Sequence, residues 1–141
     1  VTRWPMIQIN ERSLSPIYEQ IVNQMKELIV KGALREGDKI PSVRELSGML
    51  LINPNTVAKS YQELERQGVI ATVRGKGTFV CKPASAPGME RERHKQLREE
   101  LKRLVVEARH LGVAKVDFQK WINQEVEHYW GETDASSKRP E

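Results

Sequence analysis

Cysteine is almost missing from this chain: Cys81 is the only one in 141 residues. An intrachain disulfide is therefore impossible, and a scaffold stapled by such bonds is excluded. Long apolar runs are missing as well. The cluster Met49–Ile52 is far shorter than the roughly 20 residues a membrane helix requires, so no membrane partner is expected. Val1–Asn10 has no continuous apolar stretch of the kind a secretory leader carries, and a cytoplasmic location is the expectation. Cys81, His94, His110 and His128 lack the local spacing of a metal site. Glu107 and His110 share a helix face, but one such pair arises readily by chance, and no metal or cofactor is expected. There is no nucleophile with a base and an orienting group. There is no glycine-rich phosphate loop between a strand and a helix, and no paired carboxylates in a plausible cleft. These absences argue against an enzyme.

What remains is 38% hydrophobic and 30% charged, enough for a modest core and too apolar for wholesale disorder. The length suits one ordinary domain, or a small domain with an appendage. Charge is placed unevenly. Residues 1–83 hold 12 Lys/Arg against 8 Asp/Glu, a balance of +4, whereas residues 84–141 hold 11 of each. The whole basic excess lies in the first part.

Periodicity and punctuation predict the elements. Met6–Ile9 alternates weakly and reads as a short edge strand. A first helix is expected with Ser15 as N-cap and Pro16 in its first position, an apolar stripe of Ile17, Ile21, Met25, Leu28 and Ile29, and Gly32 as its stop. Lys39-Ile40 can form a short strand. Ser42 and Glu45 make a capping box for a second helix with Val43, Leu46, Met49 and Leu50 inward. Asn53 caps a third helix that starts with Pro54, buries Val57, Tyr61 and Leu64, and ends at Gly68. Two strands, Val69–Val73 and Gly77–Cys81, flank the tip Arg74-Gly-Lys-Gly. The expected class is mostly α with a small β-hairpin wing: a winged helix-turn-helix followed by a short two-helix C-terminal region. The expected division is 1–82 for the winged unit, 83–90 for a Pro/Ala/Ser/Gly linker, 91–131 for the helices and 132–141 for a frayed tail.

The third helix has two faces. At 100° per residue Val57, Tyr61 and Leu64 share one side, and Asn55, Lys59, Gln62 and Arg66 the other. Any amphipathic surface helix has a polar outer face; the order of the segments is what distinguishes this one. An asparagine can pair with adenine, a lysine can reach guanine or phosphate, and Thr56 can meet a phosphate or a thymine methyl. Arg44, in the first turn of the second helix, can contact a phosphate or a base. Arg74 and Lys76 lie between Gly75 and Gly77, which permit close backbone approach to phosphates or a minor groove.

The runs PSVREL, NPNTVAKSYQELERQGVI and GKGTFV resemble the DNA-binding domain of the GntR family of bacterial transcription regulators, and its YtrA subfamily most. The resemblance spans Ser15 to Cys81. It implies a homodimer on an inverted-repeat operator of double-stranded DNA. It also implies contacts from Arg44, from Asn53, Asn55 and Thr56, and from Gly75 and Lys76. Some members carry arginines where Pro54 and Ala58 stand, so their base preference does not transfer; Lys59 is the compensating candidate.

About 58 residues follow Lys82–Pro83, too few for the large effector domains of other subfamilies and enough for two helices, as in YtrA-like members. One is expected from Glu90 to about His110, with Leu97, Leu101, Leu104, Val105, Ala108 and Leu111 as its stripe. The other runs to about Trp130 and carries Phe118, Trp121, Ile122 and Val126. Two short helices cannot bury both stripes alone. Leu97, Leu101, Leu104, Leu111, Phe118, Trp121 and Ile122 are thus the candidate dimer contacts. Repression is the expected action, since a dimer seated on a promoter needs no further surface to block polymerase; transporter operons are the targets the subfamily suggests. A small-molecule effector is left open. The alternatives are an effector- or metal-sensing variant, a winged-helix protein-interaction module, and a DNA-coating protein without operator preference.

Overall fold

The structure, a computed structural model, describes residues 4–81 and 89–131. In chain order the elements are α1 (Ile17–Val30), β1 (Lys39–Ile40), α2 (Val43–Leu50), α3 (Pro54–Arg66), β2 (Ile70–Val73), β3 (Gly77–Val80), α4 (Met89–His110) and α5 (Lys115–Tyr129). They form two compact units, Val1–Ala84 and Ser85–Glu141. Residues 83–88 of the expected linker and 132–141 of the expected tail lie outside the described residues, and α4 opens at Met89, within the last two positions expected for the linker. Among the described residues, no helix is long and apolar enough to cross a membrane.

The first unit is a three-helix cluster with a wing. Ile21 and Met25 of α1, Leu46 of α2 and Val57, Tyr61 and Leu64 of α3 meet in one core, closed by Ile7, Leu34, Ile40, Ile70 and Val80. The hairpin β2–β3 pairs Ile70 with Val80 and Thr72 with Thr78, and β1 adds antiparallel on the far side of β3. Period-two alternation turns Thr78 and Val80 inward and leaves Phe79 half-buried.

Three local expectations need correction. Pro16 is the cap of α1, with extended φ −57° and ψ 150°, and the helix starts one residue later than Ser15 as cap would give. Ser15 precedes a proline, which biases it away from helical geometry, and no side chain caps this end. Met6–Ile9 is not a strand. Ile7 is buried, but the segment's backbone groups are met by α1 side chains: Gln8 N donates to Gln24 Oε1 at 2.9 Å and Gln24 Nε2 donates to Gln8 O at 2.6 Å. Buried Gln20 likewise holds Asn10 and Ser15. Met49 is exposed, and Ser47 takes the inward position beside Leu46.

Two polar groups cross the core, each with a partner. The Ser60 hydroxyl, fully buried, lies 3.0 Å from Thr56 O and 3.2 Å from Tyr18 O. The Tyr61 hydroxyl donates to Pro41 O at 2.6 Å and so ties α3 to the segment entering α2. Burial, with a smaller contribution from the Glu45 carboxylate, raises the Tyr61 phenol above its ordinary range. Tyr61→Phe should cost about 1–3 kcal/mol, because a buried carbonyl is left without its donor. Chemical denaturation at neutral pH measures it, and an unchanged midpoint would contradict the role given to this bond.

In the second unit, α4 turns into α5 through Gly112, with Val113 N bonded to Ala108 O. Neither helix is buried along its length; Ala108 is the one buried residue of this unit among those described. Leu97 is 68% exposed, Leu104 52% and Trp121 51%. Phe118 is half-buried and meets Trp121 edge-on, with ring centroids 6.3 Å apart. The helical period predicts burial of Trp121, Ile122 and Val126; in the structure all three are exposed.

Candidate nucleic-acid interface

The helix-turn-helix is built from two caps and one strained residue. Ser42 Oγ accepts from Glu45 N and Glu45 Oε1 accepts from Ser42 N, so α2 starts with both halves of its capping box. That bonding, Ser42's contribution first, holds the Glu45 carboxyl below its usual range. Leu51 ends α2 with φ +56°, a left-handed conformation that costs a non-glycine residue roughly 1–2 kcal/mol. The chain thereby reverses within three residues. Asn53 Oδ1 accepts from Asn55 N at 2.8 Å and caps α3, with Pro54 next.

The inward stripe of α3 sets what faces out. Asn55, Lys59, Gln62 and Arg66 are exposed and Thr56 is half-buried. They are not equally free. Arg66 Nε donates to Glu63 Oε1 at 3.0 Å, and Gln67 Nε2 donates to Glu63 Oε2 at 2.6 Å. Lys59 Nζ lies 3.9 Å from the Tyr18 ring centroid, an attraction of about 0.5–1 kcal/mol at an exposed site. Among the described residues, the side chains of Asn55 and Gln62 form no hydrogen bond or ion pair, and neither do Arg44, Arg74 or Lys76. The uncommitted polar side chains of α3 are therefore Asn55 in its first turn and Gln62 past its middle, and Arg44 in the first turn of α2 is exposed as well.

The wing tip is a tight turn in which Lys76 N donates to Val73 O at 2.9 Å. Gly75 has φ +81° at its third position, the place where a type II turn requires positive φ. Gly77 has φ +124°, and a Cβ there would sit 2.7 Å from Lys39 Cε. The Lys39 side chain, reaching from β1, thus lies against Gly77 where β3 leaves the turn. Sequence reasoning missed Lys39 and Tyr18. The strand at Lys39-Ile40 was visible, but its pairing partner, forty residues away at Thr78 and Phe79, was not.

The Glu63 carboxyl is held down to about 2, first by the Arg66 bond and then by Gln67. Its pKa is lower folded than unfolded, so its contribution to stability is present above about 4.5 and is lost as pH falls toward 2. Glu63→Gln should flatten that acid limb of the stability profile; an unchanged acid midpoint would contradict it. Asn53→Ala should cost about 0.5–2 kcal/mol through loss of the cap. Asn53→Asp, whose carboxylate can accept the same bond from Asn55 N, should keep the melting temperature. A melting loss as large as alanine's would rule out the cap as Asn53's structural role.

Three helices, a reversed turn and a cationic hairpin in this order define a winged helix-turn-helix DNA-binding protein. Residues 17–80 match the bacterial regulatory proteins of the gntR family. Over 119 residues, 84% of this chain and 91% of the relative, it is 48% identical to the HTH-type transcriptional repressor YtrA of Bacillus subtilis (strain 168). Among solved structures, it is similar to a transcriptional antiterminator from Listeria monocytogenes EGD-e, with TM-score 0.77, 45% identity and coverage of 85% of this chain and 89% of that one. YtrA from Sulfolobus acidocaldarius, a GntR-family transcription factor, matches with TM-score 0.57 and 38% identity over 71% of this chain and 97% of its own. The chain belongs to the GntR family, in its YtrA subfamily, and is a DNA-binding transcription regulator rather than an enzyme.

Proposed function

We propose that this regulator is a repressor that binds an inverted-repeat operator as a homodimer, reading bases with the N-terminal half of α3 and gripping phosphates with the wing and the start of α2. The observation that carries the DNA reading is the placement of uncommitted polar groups. Asn55, Arg44, Arg74 and Lys76 all end in solvent without a protein partner among the described residues, on elements whose opposite faces are buried. Asn55 and Thr56 take the base-reading role; Asn53 divides its amide between capping and the duplex. Gly75 and Gly77 let the wing backbone approach, and Arg74 and Lys76 supply its charge. The relative named as a repressor supports the sign of regulation.

The dimer rests on a different observation. Of the stripe Leu97, Leu101, Leu104, Leu111, Phe118, Trp121 and Ile122 on α4 and α5, no residue is fully buried, although such a stripe is what a helical bundle consumes. A twofold axis through paired α4–α5 units would set the spacing of two half-sites. Cytoplasmic action on double-stranded DNA follows from the same reading.

Selection of bound duplexes from a randomised pool tests the operator. A recovered motif with twofold symmetry is expected, and binding without preference would favour a coating protein instead. On the selected site, Asn55→Ala should cost roughly 1–3 kcal/mol and relax one base pair. Arg74→Ala and Lys76→Ala should each weaken all sequences alike and lower the salt slope by about one unit. Equal losses for Asn55→Ala on cognate and random DNA would remove its base-reading role. Replacing Leu101 and Leu104 by glutamate in the full chain should yield monomers in sedimentation. A double variant that stays dimeric would rule out this stripe as the interface.

A further inference from the structure

Resting on the operator reading above, we propose that Tyr18 is a positioning residue: its ring holds the Lys59 ammonium for a backbone phosphate and keeps this lysine from reading a base. Two contacts join the same pair of elements at this point. Lys59 Nζ stands 3.9 Å over the Tyr18 ring. The next residue of α3, Ser60, is fully buried and its hydroxyl lies 3.2 Å from the Tyr18 carbonyl oxygen. The backbone that carries the ring is therefore tied to α3 at the residue next to the lysine the ring faces.

Lys59 follows Asn55 by four residues, so the two lie about 40° apart on the helix surface. Asn55 has no side-chain partner among the described residues, whereas Lys59 is drawn toward the first turn of α1. A free lysine samples many rotamers and loses that freedom on binding; a lysine seated on a ring has lost part of it beforehand. An ammonium is a compact point charge without the planar fork that reads guanine bidentately, and a fixed point charge suits a phosphate. Lys59 is then no substitute for the base-contacting arginines that other family members place at the positions of Pro54 and Ala58.

The test uses the full-length chain and four variants: Lys59→Ala, Tyr18→Phe, Tyr18→Leu and the double Lys59→Ala/Tyr18→Leu. Affinity is measured across a salt titration on the selected operator and on a random duplex. Lys59→Ala should lower the salt slope by about one unit and weaken both duplexes by the same factor. Tyr18→Leu should weaken both by roughly two- to fivefold, and Tyr18→Phe, which keeps the ring, should match the unaltered chain. The double variant should be no weaker than Lys59→Ala alone. In the free protein, the Lys59 ε-methylene protons should resonate upfield in the NMR spectrum and return to ordinary positions in Tyr18→Leu. A Lys59→Ala loss confined to the operator, a double variant weaker than Lys59→Ala, or unshifted ε-methylene protons would each overturn the proposal. If the unaltered chain binds no duplex, the operator reading falls first. The NMR shift separates the two failures, because the ring–ammonium pairing is read without DNA.

Discussion

Burial of the Val57–Tyr61–Leu64 stripe of α3 is the constraint on which the rest of the DNA-binding unit depends. Those three side chains fix the rotation of α3 about its own axis, and with it every outward residue. Ser60, buried in the same stripe, adds a polar contact to α1, and Tyr61 adds one to the entry of α2. Hydrophobic burial supplies the driving force, while the two hydrogen bonds penalise alternative rotations, since each would leave a buried polar atom unpaired. The turn before α3 carries strain at Leu51, and the capping box of α2, the Asn53 cap of α3 and the packing of both helices hold it in place.

The polar face so defined is graded rather than uniform. At its C-terminal end, Glu63 takes up Arg66 and Gln67. In its middle, Lys59 leans on Tyr18. Among the described residues, Asn55 at its start and Gln62 further along keep side chains free for an outside partner. The helix dipole adds to this asymmetry, since it favours anions at the start of the helix. The wing repeats the pattern on a smaller scale: glycines at Gly75 and Gly77 bring the backbone to the surface, and Lys39 fills the space a Cβ would occupy.

The two units differ in how completely they satisfy themselves. The first gathers Ile7, Ile21, Met25, Leu34, Ile40, Leu46, Val57, Leu64 and Ile70 into a single buried core. The second leaves Leu97, Leu104, Leu111 and Trp121 exposed on helices that are otherwise well formed. Helical periodicity and a glycine stop are sufficient to form α4 and α5 locally, but they do not provide a surface for the stripe to pack on. In the proposed dimer, that surface is a second copy, and stability of this region becomes inseparable from association.

Much of the fold was legible in the residues. The Ser42–Glu45 box, the Asn53-Pro54 start, the Gly68 stop and the glycine-flanked tip are local signals, because capping and turn formation depend on neighbours a few positions apart. For the same reason α4 was visible from its Leu spacing and Gly112, and α5 from the spacing of Phe118, Trp121, Ile122 and Val126. What failed was non-local or dependent on one backbone angle: Met6–Ile9 alternates like a strand but is held by Gln20 and Gln24, and Met49 sits on an apolar face that the core never reaches. Outward residues of α3 and the wing could be named in advance, since helical period and turn chemistry place them. Which of them are already committed could not: the Lys59–Tyr18 pair spans two helices, and Lys39 meets Gly77 through a strand pairing. Short-range spacing thus determined which elements form and which faces they show, whereas three-dimensional packing alone decided which charges remain free, because contacts between distant segments exist only after the chain has closed on itself.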